Sequence, residues 1–140
     1  MHNSLPMRLL IGFCFLLSFG TFNKSLQNDF SFGQFFKSFS KDSVFQMSRI
    51  KFPLDYFSLD KDGTQEEMII EKYEWTFIDF TGDAASYKHD IDRFKPVVRK
   101  MGKDSVIYVR EGVDNGIHIE YTFRKIEGKW VLVKIFDTSN

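Results

Sequence analysis

An aspartate and a tyrosine are the first pair of side chains in this sequence that could do chemistry. Asp79 follows a run of aromatic residues, and Tyr121 lies in a pattern that alternates between apolar and polar residues. A carboxyl group and a phenol that share a pocket can pass a proton to and from a substrate. Both residue types are also common at strand ends and in cores. A small pocket enzyme of isomerase or hydrolase type is therefore the alternative function, and we lean against catalysis.

A second candidate group surrounds a histidine. His89 is followed by Asp90 and Asp92, so an imidazole and two carboxylates fall within four residues. Such a group could act as an acid/base cluster or bind a metal. A metal site would need a further ligand, and His118 is the only other histidine after residue 20. We expect a solvated loop, with no metal and no cofactor.

Aromatic residues are abundant, at 17% of the chain. Trp75 and Trp130 are the candidates for contacting a ligand, although we expect Trp130 to be a core anchor because it opens an apolar strand. No Gly-rich phosphate loop and no Gly-x-Ser-x-Gly elbow occurs in the sequence. Aromatics without converging polar groups favour a non-catalytic binding domain, which would bind a small ligand or a protein of the cell envelope.

Charge is balanced along the chain. Lys plus Arg and Asp plus Glu both number 19, and no run of five like charges occurs. Proteins that bind nucleic acid normally carry a basic patch or stripe. We therefore do not expect the protein to bind nucleic acid.

The amino terminus has the pattern of a signal peptide. Arg8 precedes an apolar run over residues 9–17, which is too short to span a bilayer. Ser18 and Gly20 provide the small residues that a signal peptidase recognises. We expect cleavage after Gly20 and a periplasmic or extracellular protein. An uncleaved anchor extended beyond the run is the less favoured interpretation.

Cys14 offers a lipid-anchored alternative, because exported bacterial chains can be acylated on a cysteine. The residue before it is Phe13, whereas such a site calls for a small residue. Lipid anchoring is therefore the less favoured form. Cleavage after Gly20 removes the only cysteine, so the domain must fold without a disulfide.

Two helices are predicted near the start of the domain. Asn28 or Asp29 can cap the first, which would run to about Ser40. Its apolar face would consist of four phenylalanines, Phe32, Phe35, Phe36 and Phe39. Ser43 and Gln46 have the spacing of a capping box, which predicts a second helix that ends near Arg49.

The middle of the chain is harder to assign. Pro53 indicates an extended or edge segment, and residues 60–63 favour a turn over an incomplete calcium loop. The alternation of residues 68–80 predicts a half-buried strand, with a helical start near Gln65 left open. Residues 81–90 should be a polar loop. The structure of residues 81–103 stays undecided, because the apolar residues around Pro96 have a helical period that a proline would interrupt.

Three strands are predicted at the end, over residues 106–110, 117–124 and 129–136. Asp114-Asn115-Gly116 and Glu127-Gly128 favour tight turns, so the strands should form an antiparallel meander. In the last strand, we expect Trp130, Leu132 and Phe136 on one face and an apolar stripe of Val131, Val133 and Ile135 on the other. Such a stripe must be covered, and a homodimer through the convex face of the sheet is the expected cover.

These elements predict an α+β roll in which N-terminal helices pack on a curved antiparallel sheet. The domains would be a signal peptide (1–20), a polar leader (21–28) and one roll domain (29–140). The chain resembles a family of small exported Bacteroidetes domains of unknown function in residues 35–39, 42–50, 52–54, 74–75, 121–123 and 128–132. The resemblance implies a fold like that of nuclear transport factor 2 and cystatin, and no activity is assigned to the family. Some proteins with such a roll use an Asp and a Tyr in the pocket between helices and sheet for proton transfer, and this likeness is what makes Asp79 and Tyr121 candidates for those roles.

Overall fold

The computed structural model of the protein describes residues 31–140. The predicted signal peptide, the polar leader and the predicted caps Asn28 and Asp29 lie outside the described residues. The α-helices are α1 (Phe32–Phe39) and α2 (Ser43–Ser48), and two 3-10 helices cover Lys72–Glu74 and Asp83–Lys88. The strands are β1 (Ile50–Leu59), β2 (Gln65–Ile70), β3 (Phe94–Lys100), β4 (Ser105–Gly112), β5 (His118–Ile126) and β6 (Lys129–Asp137).

All six strands form one curved, unclosed sheet in the order β2-β1-β6-β5-β4-β3. Strands β3 to β6 pair antiparallel with their neighbours in sequence, and for β4, β5 and β6 the turn residues predict this pairing. Strand β1, which follows the helices, pairs with β6 in parallel. Strand β2 pairs antiparallel with β1 and forms one edge of the sheet. The predicted α+β roll is confirmed. No helix within residues 31–140 is long and apolar enough to cross a membrane.

Helix α1 carries the predicted phenylalanine face. Phe35 and Phe39 are buried, and Phe32 and Phe36 pack against the same core. The side chain of Ser31, just before the helix, accepts a hydrogen bond from the Gln34 amide and caps the first turn. The packing of this face holds α1 on the concave side of the sheet.

Helix α2 begins at Ser43 as predicted, but the predicted capping box is wrong. Asp42 is the cap, and its Oδ1 accepts hydrogen bonds from the amides of Val44 and Phe45. The side chain of Gln46 is fully buried and does not reach back to the helix start. An aspartate one residue earlier serves as the cap, which leaves the amide group of Gln46 for the core.

Gln46 uses both ends of its amide to fix the segment that follows β2. Its Nε2 donates to the carbonyl oxygens of Phe39 and Ile78, at 2.9 and 2.8 Å. Its Oε1 accepts from the Ile78 amide at 3.0 Å and from Trp75 Nε1 at 3.2 Å. Four hydrogen bonds satisfy a buried side-chain amide completely. They hold the segment 75–80 against the helices.

The predicted strand over residues 68–80 is confirmed only for residues 68–70, and the helical start near Gln65 is wrong because β2 begins there. Strand β2 ends at Ile70, and a 3-10 helix and an irregular stretch follow it. The alternation of aromatic residues does not come from a strand here. In a strand Tyr73 and Trp75 would share one face, but Tyr73 is 86% exposed and Trp75 is half-buried. The backbone amide and carbonyl oxygen of Ile78 pair with the side chain of Gln46, and the Phe80 amide donates to the carbonyl oxygen of Ser40.

Pro53 and Pro96 both lie where at least one side of the strand has no paired neighbour. Pro53 follows a cis peptide bond in β1 and precedes Leu54, where pairing with β2 starts. Pro96 lies in β3, an edge strand of the sheet. Edge positions tolerate proline because no ladder hydrogen bond is lost there. The undecided segment around Pro96 is thus a strand, and the polar loop before it contains the 3-10 helix Asp83–Lys88.

A β-bulge in β6 overturns the predicted faces of the last strand. Thr122 pairs with Lys134, and the next residue, Phe123, pairs with Leu132, so Val133 is an extra residue. The inserted residue reverses the alternation beyond it. Ile135 joins Trp130 and Leu132 in the core, whereas Phe136 lies outside the core cluster. The stripe of Val131, Val133 and Ile135 therefore does not exist, and the homodimer stays a prediction without that argument.

Aromatic rings fill the concave side of the sheet. Phe123 is completely buried, and its ring centroid lies 5.1 Å from that of Phe39 and 5.7 Å from that of Phe35. Phe80 contacts Tyr108 and Tyr121 edge to face. Edge-to-face contacts of this kind add to the stabilisation that burial supplies.

Candidate functional site

A buried ion pair joins the second 3-10 helix to β4. Asp83 opens the 3-10 helix and is 4% exposed. Arg110 donates from Nε to Asp83 Oδ2 and from Nη2 to Asp83 Oδ1, both at 2.8 Å. Two parallel hydrogen bonds of this type match the guanidinium fork to the carboxylate. The pair fixes the 3-10 helix at the edge of the concave face.

Two tyrosines complete what we call the Asp83 cluster, which consists of Asp83, Tyr108, Arg110 and Tyr121. The Tyr108 hydroxyl donates to Asp83 Oδ2 at 2.8 Å. Arg110 donates from Nη1 to the Tyr121 hydroxyl at 3.4 Å. Its guanidinium also lies 4.7 Å from the ring centroid of Phe80. Arg110 is thus held by an ion pair, by hydrogen bonds and by a contact with an aromatic ring.

The protonation of Tyr108, Arg110 and Tyr121 does not change near neutral pH. Burial, followed by the hydrogen bond to Asp83, raises the pKa of Tyr108, and burial raises the pKa of Tyr121 to about 12. Burial alone would lower the pKa of Arg110, but its hydrogen bonds to Asp83, together with the electrostatic interactions with Tyr121, Asp83 and Tyr108, outweigh that effect and raise it. A general acid or base works best when its pKa lies near the working pH. The Asp83 cluster is thus a structural arrangement.

The structure separates the predicted acid/base pair. Asp79 is exposed, and its Oδ1 accepts hydrogen bonds from the amide and the hydroxyl of Thr81, at 2.7 and 2.6 Å. These hydrogen bonds lower the pKa of Asp79. Tyr121 is 3% exposed and belongs to the core. Only the backbone oxygen of Asp79 contacts Arg110, so the carboxylate takes no part in the cluster.

His89 lies in an exposed turn directly after the second 3-10 helix. Its backbone amide donates to the carbonyl oxygen of Ser86, and Asp90 and Asp92 are also exposed. Within residues 31–140, no group of three or more His, Cys, Asp or Glu side chains is arranged to hold a metal ion. The structure therefore brings none of the catalytic candidates together with another.

The two tryptophans have different surroundings. Trp130 is 3% exposed and packs edge to face on Phe32, with ring centroids 5.4 Å apart. Trp75 is half-buried between Phe52 and Gln46. Trp130 is therefore the core anchor that the sequence predicts. Neither ring lines the groove described next.

An apolar groove opens between α1 and the edge of the sheet. Its volume is about 500 Å³. Its walls and floor are formed by Phe36, Ser40, Phe80, Thr81, Asp83, Ala84, Pro96, Val98 and Tyr108. Lys37 and Lys41 also line it and are exposed, so they form a cationic rim. We call this feature the apolar groove.

The sequence contained one signal for the missed residues. Tyr108 and Arg110 are two positions apart in a strand, so they lie on the same face as the buried Val106. An arginine on the core face of a strand needs an acidic partner. The partner, Asp83, is separated from Arg110 by 27 positions and lies in a segment that seemed to be solvated loop.

The comparison with protein families yields one match. The sequence pattern of a domain of unknown function, DUF4348, matches residues 12–137. No curated protein sequence matches the chain.

Several solved structures with a similar fold come from Bacteroides species. An NTF2-like protein from Bacteroides fragilis has 24% identity and a TM-score of 0.54, with 78% of this chain aligned to 47% of that one. The chain thus spans about half the length of that protein. A cystatin-like protein from Bacteroides caccae has 22% identity and a TM-score of 0.53, with 75% and 74% of the two chains aligned. These similarities establish the fold.

Proposed function

The chain belongs to the DUF4348 family of domains of unknown function, and we propose that it is a non-catalytic binding domain for an apolar small molecule that carries an anionic group. The observation that carries the proposal is the apolar groove with its rim of two lysines. Small-molecule sites are concave and mostly apolar, with a few polar groups that orient the ligand. The groove has this character.

The apolar part of the ligand would cover side chains that are now in water. Val98 is 51% exposed, although it lies beside Phe36 and Phe80 in the groove. Removing such surface from water stabilises a complex by about 25 cal/mol for each Å² that is buried. An aliphatic chain or a fused ring system fits this surface.

The charge of the rim selects the head group. Lys37 and Lys41 are positive, and the one acidic side chain that lines the groove, Asp83, is already paired with Arg110. The groove therefore attracts an anion. A carboxylate at one end of an apolar body is the simplest ligand of this description.

Dodecanoate should bind to the groove, and Val98→Lys should weaken that binding at least tenfold. The added lysine would place a charged, solvated side chain where the aliphatic chain lies. Displacement of anilinonaphthalene sulfonate by dodecanoate, followed by fluorescence, measures the affinity. Val44→Lys is the matched control, since Val44 is 79% exposed and lies outside the groove. Equal affinities of the two variants would contradict the proposed site.

A second pair of measurements tests the head group. Replacing both Lys37 and Lys41 with glutamine should weaken dodecanoate but leave dodecanol unaffected, because the neutral alcohol does not use the rim charge. If dodecanoate and dodecanol lose affinity equally, the lysines act through packing, and the proposal that the ligand carries an anionic group is wrong.

The alternative function, a small isomerase or hydrolase, has less support. It would need an acidic residue in the cavity whose pKa lies near neutrality. Asp79 is exposed with a lowered pKa, and Asp83 is held in a bidentate ion pair. We therefore keep binding as the proposed function.

We also propose that the protein acts outside the cytoplasm, after removal of residues 1–20. Arg8, the short apolar run over 9–17 and the small residues Ser18 and Gly20 support export. Intact mass of protein from the native cell envelope should give a chain that begins at Thr21. A mass that includes Met1, or that includes a diacylglycerol on Cys14, would contradict it.

A further inference from the structure

A depression on the convex face of the sheet originates at the β-bulge. The two ladders that flank β6 both change register there, between Thr122 and Phe123 on one side and between Ile50 and Asp55 on the other. Bulges and register breaks bend the strands and redirect side chains. The resulting depression has a volume of about 240 Å³. We call it the convex depression, and it is lined by Lys51, Asp55, Thr122, Arg124, Ile126, Val133 and Lys134.

The charges of the convex depression are unbalanced. Lys51, Arg124 and Lys134 are cations, and Asp55 is the one carboxylate. None of the four forms an ion pair with another side chain of residues 31–140. Three cations against one carboxylate leave two positive charges in a concave surface. This arrangement attracts an anion of matching charge.

A polar side chain at the base of the depression also has an unused hydrogen-bonding group. Thr122 is 9% exposed and lines the convex depression. Its hydroxyl forms no hydrogen bond with any group in the described part of the chain. A hydroxyl can donate one hydrogen bond and accept others. The hydroxyl oxygen is accessible from the depression, so it can donate to a ligand oxygen there.

We propose that the convex depression binds an oxyanion that carries two negative charges and a proton, of which hydrogen phosphate is the simplest. The two charges balance the three cations and Asp55. Arg124 can bind two oxygens through its planar guanidinium, and Thr122 can donate to a third. The hydroxyl group of the anion would keep its proton and donate a hydrogen bond to the Asp55 carboxylate.

Asp55 makes the proposed site selective. Sulfate has the same charge and shape as hydrogen phosphate but no proton at neutral pH. It would therefore place an acceptor against the acceptor oxygens of Asp55, and two unsatisfied, like-charged groups would face each other. The site should favour phosphate over sulfate for this reason.

Titration of the ¹⁵N-labelled protein with inorganic phosphate, at constant ionic strength and a pH above the second pKa of phosphate, tests the proposal. We expect saturable shifts of the Thr122 and Val133 amide signals, and at least tenfold weaker binding of sulfate. Replacing both Lys51 and Arg124 with glutamine should reduce phosphate affinity at least tenfold. Replacing both Lys95 and Lys100, exposed cations of β3, with glutamine is the matched control and should change nothing.

Asp55→Asn separates selectivity from general attraction. The amide can donate to sulfate as well as to phosphate, so the two anions should bind this variant with similar affinity. Three outcomes would each overturn the proposal. The first is that the shifts do not saturate, and the second is that both anions bind the unmodified protein equally well. The third is that the two double variants lose the same amount of phosphate affinity. All substituted residues are exposed, and a well-dispersed spectrum of each variant verifies its fold. The site is lined by none of the groove residues, so it stands or fails independently of dodecanoate binding.

Discussion

Asp83→Ala should lower the free energy of unfolding by roughly 3–5 kcal/mol, the usual cost of breaking a buried ion pair from one side. The side chain of Arg110 is only 16% exposed and would lose both of its carboxylate contacts. Tyr108 would lose the acceptor of its hydroxyl as well. A guanidinium without an anion in such surroundings is poorly solvated, and this penalty destabilises the folded state. The urea midpoint, measured with an unchanged m-value, reports the loss.

Two further variants distinguish the ion pair from the local backbone. Asp90→Ala removes an exposed carboxylate in the turn beyond the same 3-10 helix. Its free energy of unfolding should stay within about 0.5 kcal/mol of that of the unmodified protein. The double variant Asp83→Ala with Arg110→Met should cost less than the sum of the single changes, because no charge is left uncompensated. Additive losses, or an Asp83→Ala midpoint equal to that of Asp90→Ala, would show that the ion pair does not anchor this region.

Local patterns predicted the parts of the fold that depend on local interactions. The turns at Asp114 and Glu127 have positive φ values of 56° and 49°, and they join β4, β5 and β6 into the expected meander. The phenylalanine face of α1 follows from helical spacing alone. Such features depend on residues close in sequence, so the sequence shows them directly.

Other features depend on contacts between distant residues. The bulge at Val133 arises where β6 pairs with both β1 and β5, and a strict alternation of faces does not reveal it. Gln46 bonds to Trp75 and Ile78, about thirty positions along the chain, and thereby ends the predicted strand. Tertiary contacts overrode the local periodicity at both places.

The same distinction explains the candidate site. Residue type pointed to Asp79, His89 and Tyr121, and the structure places them in an irregular stretch, an exposed turn and the core. The apolar groove combines α1, the segment 80–84, β3 and β4, four parts of the chain whose association no single motif indicates. Its recognition needed the positions of Pro96 and Val98 in an edge strand, which the sequence left undecided.

Trp130→Ala should lower the free energy of unfolding by roughly 3–5 kcal/mol, the usual loss for a large aromatic side chain removed from a core. The indole is 3% exposed and contacts the ring of Phe32, so it connects β6 to α1. Lys125 lies over its other side, with Nζ 5.6 Å from the ring centroid. Alanine would leave a cavity that the neighbouring aromatic rings fill only in part.

Tyr73→Ala is the matched control for that prediction, since it removes an aromatic ring that is 86% exposed. Its free energy of unfolding should stay within about 0.5 kcal/mol of that of the unmodified protein. Trp130→Phe keeps most of the buried volume and should lie between the two alanine variants. Trp75 remains in all three proteins, so its fluorescence follows unfolding in each. A Trp130→Ala midpoint as high as that of Tyr73→Ala would place the indole at the surface, where it would become a candidate ligand contact.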